Sequence, residues 1–138
     1  MRALSLQQPY ATLVAIGAKR WETRSWRTRY RGPLAIQASL GNRPLPGAPQ
    51  ALAALQAAGF PDLGALPHGV VVAVCELVDC VRVEQVTGFS ALEREVGDFS
   101  AGRFAWRLEA VRPRALALPV RGHLGLWTWV ETPATPAA

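Results

Sequence analysis

"VVVAVCELVDCVRV", Val70 to Val83, is the strongest strand in the chain, and its reading decides the fold. Its β-branched residues suit a pleated, packed surface. It exceeds the usual strand length, so it is long enough to bend and serve two sheets of a small barrel. The segment before it, "FPDLGALPHG", is dense in turn formers and reads as a connecting loop.

Working outward, "RFAWRLEAV" alternates. Phe104, Trp106, Leu108 and Ala110 share one face, and Arg103, Arg107 and Glu109 the other, as in a half-buried strand. "RALSL" (Arg2–Leu6), Arg20–Trp26, "PLAIQAS" (Pro33–Ser39), "RALALPV" and "LGLWTWVE" also carry strand character. Two or three short helices are predicted. One runs from about Pro9 to Ile16, with Pro9 in its first turn and Gly17 just past its end. A second covers "QALAALQAAG", Gln50–Gly59. The third is "SALEREVG", with Ser90 as cap and Glu93 in capping-box position. Helices inserted irregularly among about six strands predict an α+β fold with antiparallel or mixed pairing. A small closed or nearly closed β-barrel is the natural solution.

The chain has 138 residues, half of them hydrophobic. That predicts one domain over 1–131 with a substantial core. The last stretch, "TPATPAA" (132–138), lacks apolar periodicity and reads as a flexible tail. The amino-terminal "MRALSLQQPYATL" has no long apolar stretch, so no signal peptide is predicted. The longest apolar run, "VVVAVC", is too short to span a bilayer. Cys75 and Cys80 stand five apart, which on a regular strand sends them to opposite faces. They read as buried free thiols of a cytoplasmic protein.

The net charge is +5, which favours polyanionic partners. Six of the fifteen basic residues fall within "KRWETRSWRTRYRG", Lys19–Gly32, opposed there only by Glu22. On a regular strand Arg20, Glu22, Arg24 and Trp26 share one face, and Trp21, Thr23, Ser25 and Arg27 the other. An Arg and a Glu are costly to bury unpaired. Two readings stand. In one, this is a charged edge strand whose Glu22 pairs with Arg20 or Arg24. In the other, it lines a polar cleft for an anionic or nucleobase ligand, because arginines hold phosphates and Trp21, Trp26 or Tyr30 can stack on unpaired bases. No amphipathic helix carries these charges, so no membrane partner is predicted.

Other chemistry is sparse. Trp106 reads as core, and Trp127 and Trp129 share a face with one or both packed inside. His68 and His123 have no second ligand at metal-site spacing, so neither a metal nor a cofactor is predicted. "GHLGLW" is a weak candidate for a cleft mouth. No nucleophile elbow, phosphate-binding loop or dinucleotide fingerprint is present.

Leu4-Ser5, Gln8-Pro9-Tyr10-Ala11, Gly17-Ala18-Lys19, Glu22, Arg24 and Arg31-Gly32 together resemble the ASCH (activating signal cointegrator homology) domain family, a branch of the PUA-like barrels. "PHGVVVAVCELVDCVRVEQ", "RFAWRL" and "GHLGLW" are similar to its central and closing strands, so the resemblance extends to about Val130. It is strongest to the cointegrator type, which implies nucleic-acid binding. The resemblance implies a PUA-like barrel with a cleft beside the first helix, lined by Lys19, Glu22 and Arg24. Ser5 and Gln8 would lie near it, and a basic rim would run from Arg27 through Arg29 to Arg31.

The expected interface is therefore Ser5, Gln8, Lys19, Arg20, Trp21, Arg24, Trp26, Arg27, Arg29, Tyr30 and Arg31, engaging single-stranded RNA or DNA or a flipped base. The alternative is a small hydrolase, an amidohydrolase on acylated cytidine or a ribonuclease, using Lys19 and Glu22. Some small family members deacetylate N4-acetylcytidine with a lysine, a threonine and a glutamate. Their lysine matches Lys19, but their threonine falls on Glu22.

Overall fold

The structure is a computed structural model in which residues 1–114 and 119–131 are described. The expected tail, 132–138, and positions 115–118 of "RALALPV" lie outside the described residues. The elements run β1 (Arg2–Gln8), α1 (Tyr10–Ala15), β2 (Trp21–Arg24), β3 (Gly32–Asn42), α2 (Pro49–Ala57), β4 (Val70–Arg82), α3 (Ala91–Val96), β5 (Phe104–Pro113) and β6 (Leu126–Thr128). The strands form one mixed sheet in the order β2-β5-β4-β3-β1-β6. β1 and β3 are parallel and the other neighbours antiparallel, so the α+β reading holds.

β4 does not serve two sheets. It lies in the middle of one, paired with β3 and β5. Irregularities between Val74 and Glu76 and between Leu77 and Asp79 interrupt its register with β5. Such bulges bend a strand and increase its twist. Among the described residues the ladder is not closed, and β2 and β6 are its edges. Even so, Nη2 of Arg24 on edge strand β2 donates to the Ser5 carbonyl of β1 at 3.3 Å, so a side chain bridges two strands far apart in the sheet order. The sheet is strongly curled and laced by side chains rather than closed into a barrel.

The principal core includes Leu4, Leu34, Ile36, Trp106 and Leu108. Ala11 and Val14 of α1 pack into it. Leu13, on another side of α1, joins Ala51, Leu55 and Val96 in a second cluster that seats α2 and α3. The opposite sheet face carries Ala3, Ala35, Val71 and Val74 under Trp127 and Trp129, both buried. Burying a tryptophan as large and fully enclosed as Trp106 stabilises the fold by about 3–5 kcal/mol relative to alanine.

Three expectations of regular alternation are corrected. Cys75 and Cys80 are both free and buried but share one core cluster, because the bulge between Leu77 and Asp79 returns Cys80 to the Leu77 face, opposite Trp106. Ala110 does not follow Phe104, Trp106 and Leu108 inward. It is exposed with φ +51°, where β5 passes the other irregularity of β4. The strand expected through Trp26 ends at Arg24, so the two-face pattern does not reach Trp26 or Arg27.

Candidate nucleic-acid interface

Gly17 follows α1 with φ +79°, a left-handed conformation suited to glycine. The N–H groups of Ala18 and Lys19 both donate to the Leu13 carbonyl at 3.0 Å, wrapping the chain back over the helix end. Lys19 is buried as a result. Its Nζ donates to the Trp21 carbonyl and lies 3.5 Å from Glu22 Oε1. Glu22 Oε1 also accepts from the Thr23 N–H at 3.1 Å, and Oε2 from Arg24 Nη2 at 3.3 Å. Lys19, Glu22 and Arg24 thus form one ionic chain, continued to β1 by the bond from Arg24 to Ser5. Its charged atoms hold one another, as a buried ion cluster requires.

Glu93 completes this region and was not among the expected site residues. Ser90 Oγ caps α3 by accepting from the Glu93 N–H at 3.1 Å. The reciprocal half of the capping box is not observed. The Glu93 side chain instead crosses to the residue just before β2, where Oε1 accepts from the Arg20 N–H at 2.7 Å. Burial pushes its carboxyl above the ordinary glutamate value, opposed by Lys19, the N–H groups of Arg20 and Trp21, and Arg107. A recess of about 250 Å³ beside it is walled by Trp21, Phe89 and Arg107. The Arg107 guanidinium lies 5.1 Å from the Trp21 ring centroid, and Phe89 meets that ring edge-on at 5.6 Å.

The ribbon after Arg24 stands outside. Trp26 is 37% exposed and sits edge-on against Trp106, with ring centroids 4.7 Å apart. Its carbonyl accepts from Trp106 Nε1 at 3.4 Å. The Arg27 guanidinium lies 5.2 Å from the Phe104 centroid, and that of Arg82, paired with Phe104 in the sheet, lies 5.6 Å from it. Thr28 is buried and pins the turn, its Oγ1 accepting from the Tyr30 N–H at 3.1 Å and its carbonyl from Arg31 Nη1 at 3.0 Å. Arg31 also stands 3.8 Å from Asp79, and the Tyr30 hydroxyl donates to the Pro33 carbonyl. Arg20 and Arg29 are exposed.

The expected site residues therefore fall into groups. Ser5, Lys19 and Arg24 meet around Glu22. Trp26, Arg27, Arg29, Tyr30 and Arg31 lie on the outer ribbon. Trp21 and Arg20 flank the small recess. Gln8 joins none of these: it is fully buried, donating from Nε2 to the Pro67 carbonyl at 2.8 Å and accepting at Oε1 from the Thr12 N–H at 3.0 Å. Phe104 and Arg82 enter the ribbon unforeseen, and the strand alternation that put Phe104 beside Trp106 was the available signal.

A second and larger opening, about 1000 Å³, lies on the sheet face that carries Trp127. Ser5, Gln37, Val70, Gly122 and His123 line it, with Leu40 and Leu124 exposed at its rim. "GHLGLW" thus does contribute to a cleft mouth. Trp127 Nε1 donates to Ser5 Oγ at 3.1 Å, and Gln37 Nε2 to the Val120 carbonyl at 2.7 Å.

Among the described residues there is no cluster of His, Cys, Asp or Glu that could hold a metal ion, and no helix long and apolar enough to cross a membrane. A family model of the ASCH domain matches residues 4–118. The chain is also similar to mouse activating signal cointegrator 1, with 31% identity over 133 residues, covering 90% of this chain and 21% of the relative. Its similarity to human activating signal cointegrator 1 is 29% over 133 residues, with the same coverage. The chain thus spans about a fifth of the length of these curated relatives.

Proposed function

We propose, from the premise that this chain belongs to the ASCH domain family, that it binds single-stranded nucleic acid, RNA or DNA, through the ribbon Trp26–Arg31 and the cationic surface beside it. The observation that carries this reading is the grouping of Arg27 and Arg82 around Phe104, next to exposed Trp26. Guanidinium groups suit phosphate oxygens, and an uncovered indole offers a stacking face for a base. Arg20 and Arg29, both exposed, extend the positive surface. The internal bonds of Thr28, Tyr30 and Arg31 fix the ribbon before a ligand arrives, which lowers the entropy lost on binding.

The hydrolase reading has less support. Lys19 Nζ is engaged by the Trp21 carbonyl and Glu22 and has almost no exposed surface from which to meet a substrate. Two buried free thiols fit a reducing, cytoplasmic setting.

Fluorescence anisotropy of a labelled single-stranded oligonucleotide across a salt series tests the proposal. Arg27→Ala with Arg29→Ala should weaken binding and lower the salt slope by roughly 1.4, because two phosphates then keep their counterions. Unchanged affinity and slope would remove the ribbon as the interface.

A further inference from the structure

The large groove on the Trp127 face is chemically unlike the ribbon, and its floor holds one unpartnered polar atom, Gln37 Oε1, beside the Ser5 hydroxyl. Gln37 is 1% exposed, and its Oε1 has no hydrogen-bond partner among the described residues. Its Nε2 is fixed on the Val120 carbonyl, which leaves Oε1 toward Gly122. Ser5 Oγ accepts from Trp127 Nε1, so its own proton remains available to donate. A Cβ built on Gly122 would come within 2.5 Å of both Gln37 Oε1 and Ser5 Oγ. The two atoms therefore lie close together under a backbone that carries no side chain. The surrounding wall and rim include the apolar side chains of Val70, Leu40 and Leu124.

The geometry points to a pocket for one unstacked nucleobase, with Ser5 and Gln37 reading its edge. This rests on the nucleic-acid reading above and names what that reading leaves open, where a base would go. A donor beside an acceptor at the end of an apolar slot complements the Watson–Crick edge, on which every base sets an acceptor next to a donor. An acyl chain or apolar side chain would leave Gln37 Oε1 and the Ser5 hydroxyl proton without a partner. A volume of about 1000 Å³ admits a base together with its sugar. Arg121 lines the groove and matches a phosphate. The ribbon is within reach, because the Trp26 ring lies 4.0 Å from the Cβ position of Gly125, in the segment that forms the groove mouth. For a base to reach the polar pair, the Gly122 backbone that covers it must move outward.

The test separates base from backbone. Two probes are compared by anisotropy: a labelled oligomer of abasic sugar-phosphates, and the same oligomer with one central cytosine or adenine. Wild type should prefer the base-bearing probe by about ten-fold or more. Gln37→Met and Ser5→Ala should each reduce that preference several-fold and leave affinity for the abasic probe unchanged. Thermal melts confirm that each variant is folded, and agreement between the two guards against a local distortion by either. Arg27→Ala with Arg29→Ala should weaken both probes equally.

If wild type binds both probes alike, the pocket is wrong and so is stacking on Trp26, while phosphate binding by the ribbon stands. If the preference survives both Gln37→Met and Ser5→Ala, the pocket alone is wrong. If neither probe binds and natural oligonucleotides also fail, both readings fall together.

Discussion

Lys19 and Glu22 form an ion pair 3.5 Å apart, with side chains only 2% and 11% exposed, at the point where α1 hands the chain to β2. Arg24 holds the other carboxylate oxygen and ties the cluster to β1. The sequence offered two readings of this strip, a paired edge strand and a polar cleft. The edge-strand pairing accounts for Glu22 and Arg24, because β2 is an edge strand and the two are 3.3 Å apart.

Removing one member of a buried pair is worse than removing both, because the survivor stays desolvated without its partner. Lys19→Met should therefore destabilise the protein by about 3 kcal/mol in urea unfolding. Glu22→Leu alone should do similar harm, leaving Lys19 and Arg24 facing an apolar group. The double variant should be more stable than the sum of the two losses predicts. Strictly additive losses would show that the pair is not coupled.

Glu93 gives the fold a pH dependence whose sign is fixed by its environment. Burial raises its carboxyl above the ordinary value, so in the window between the two values the folded chain holds a proton that the unfolded chain releases. Stability from this group is therefore greatest below the ordinary glutamate value and is lost as pH rises through the window. Glu93→Gln keeps an acceptor for the Arg20 N–H and removes the titration. The stability of wild type relative to Glu93→Gln, from urea midpoints at a series of pH values, should fall as pH rises through that window and be flat on either side. Asp98 and Glu84, whose exposed carboxyls are held below their ordinary values by hydrogen bonds, act in the opposite sense but cancel in the difference. A difference that does not vary with pH would mean that Glu93 titrates alike in both states.

What could be read from the sequence follows from how local each signal is. Pro9 and Gly17 mark the ends of α1, and the β-branched run marks β4, because these are preferences of single residues and their neighbours. The curl could not be read the same way. It depends on bulges that break the two-residue period, which is why Cys80 and Ala110 depart from their expected faces. The Lys19–Arg24 cluster was legible because its members are sequence neighbours. Glu93 was hidden for the converse reason: its capping-box position supplied a local explanation, while its true partner lies 73 residues away. Gln37 reads in the sequence as one polar residue in an apolar strand, and only the return of Val120 and Gly122 over the sheet gives it meaning.

Trp26 joins stability to the proposed binding surface, and two substitutions separate these roles. Its ring covers the edge of Trp106, which is fully buried, and its outer face remains open. Trp26→Phe keeps an aromatic edge over Trp106 and a smaller stacking face, so it should shift stability by less than about 1 kcal/mol. Trp26→Ala uncovers Trp106 and removes the face, with a loss of about 1–2 kcal/mol in stability. On single-stranded oligonucleotides, Trp26→Ala should lower affinity by about ten-fold and leave the salt slope unchanged, since stacking releases no counterions. Trp26→Phe should retain most of the affinity. If Trp26→Ala instead lowers the salt slope with the affinity, the indole acts by positioning Arg27 on Phe104, and the base does not stack on it.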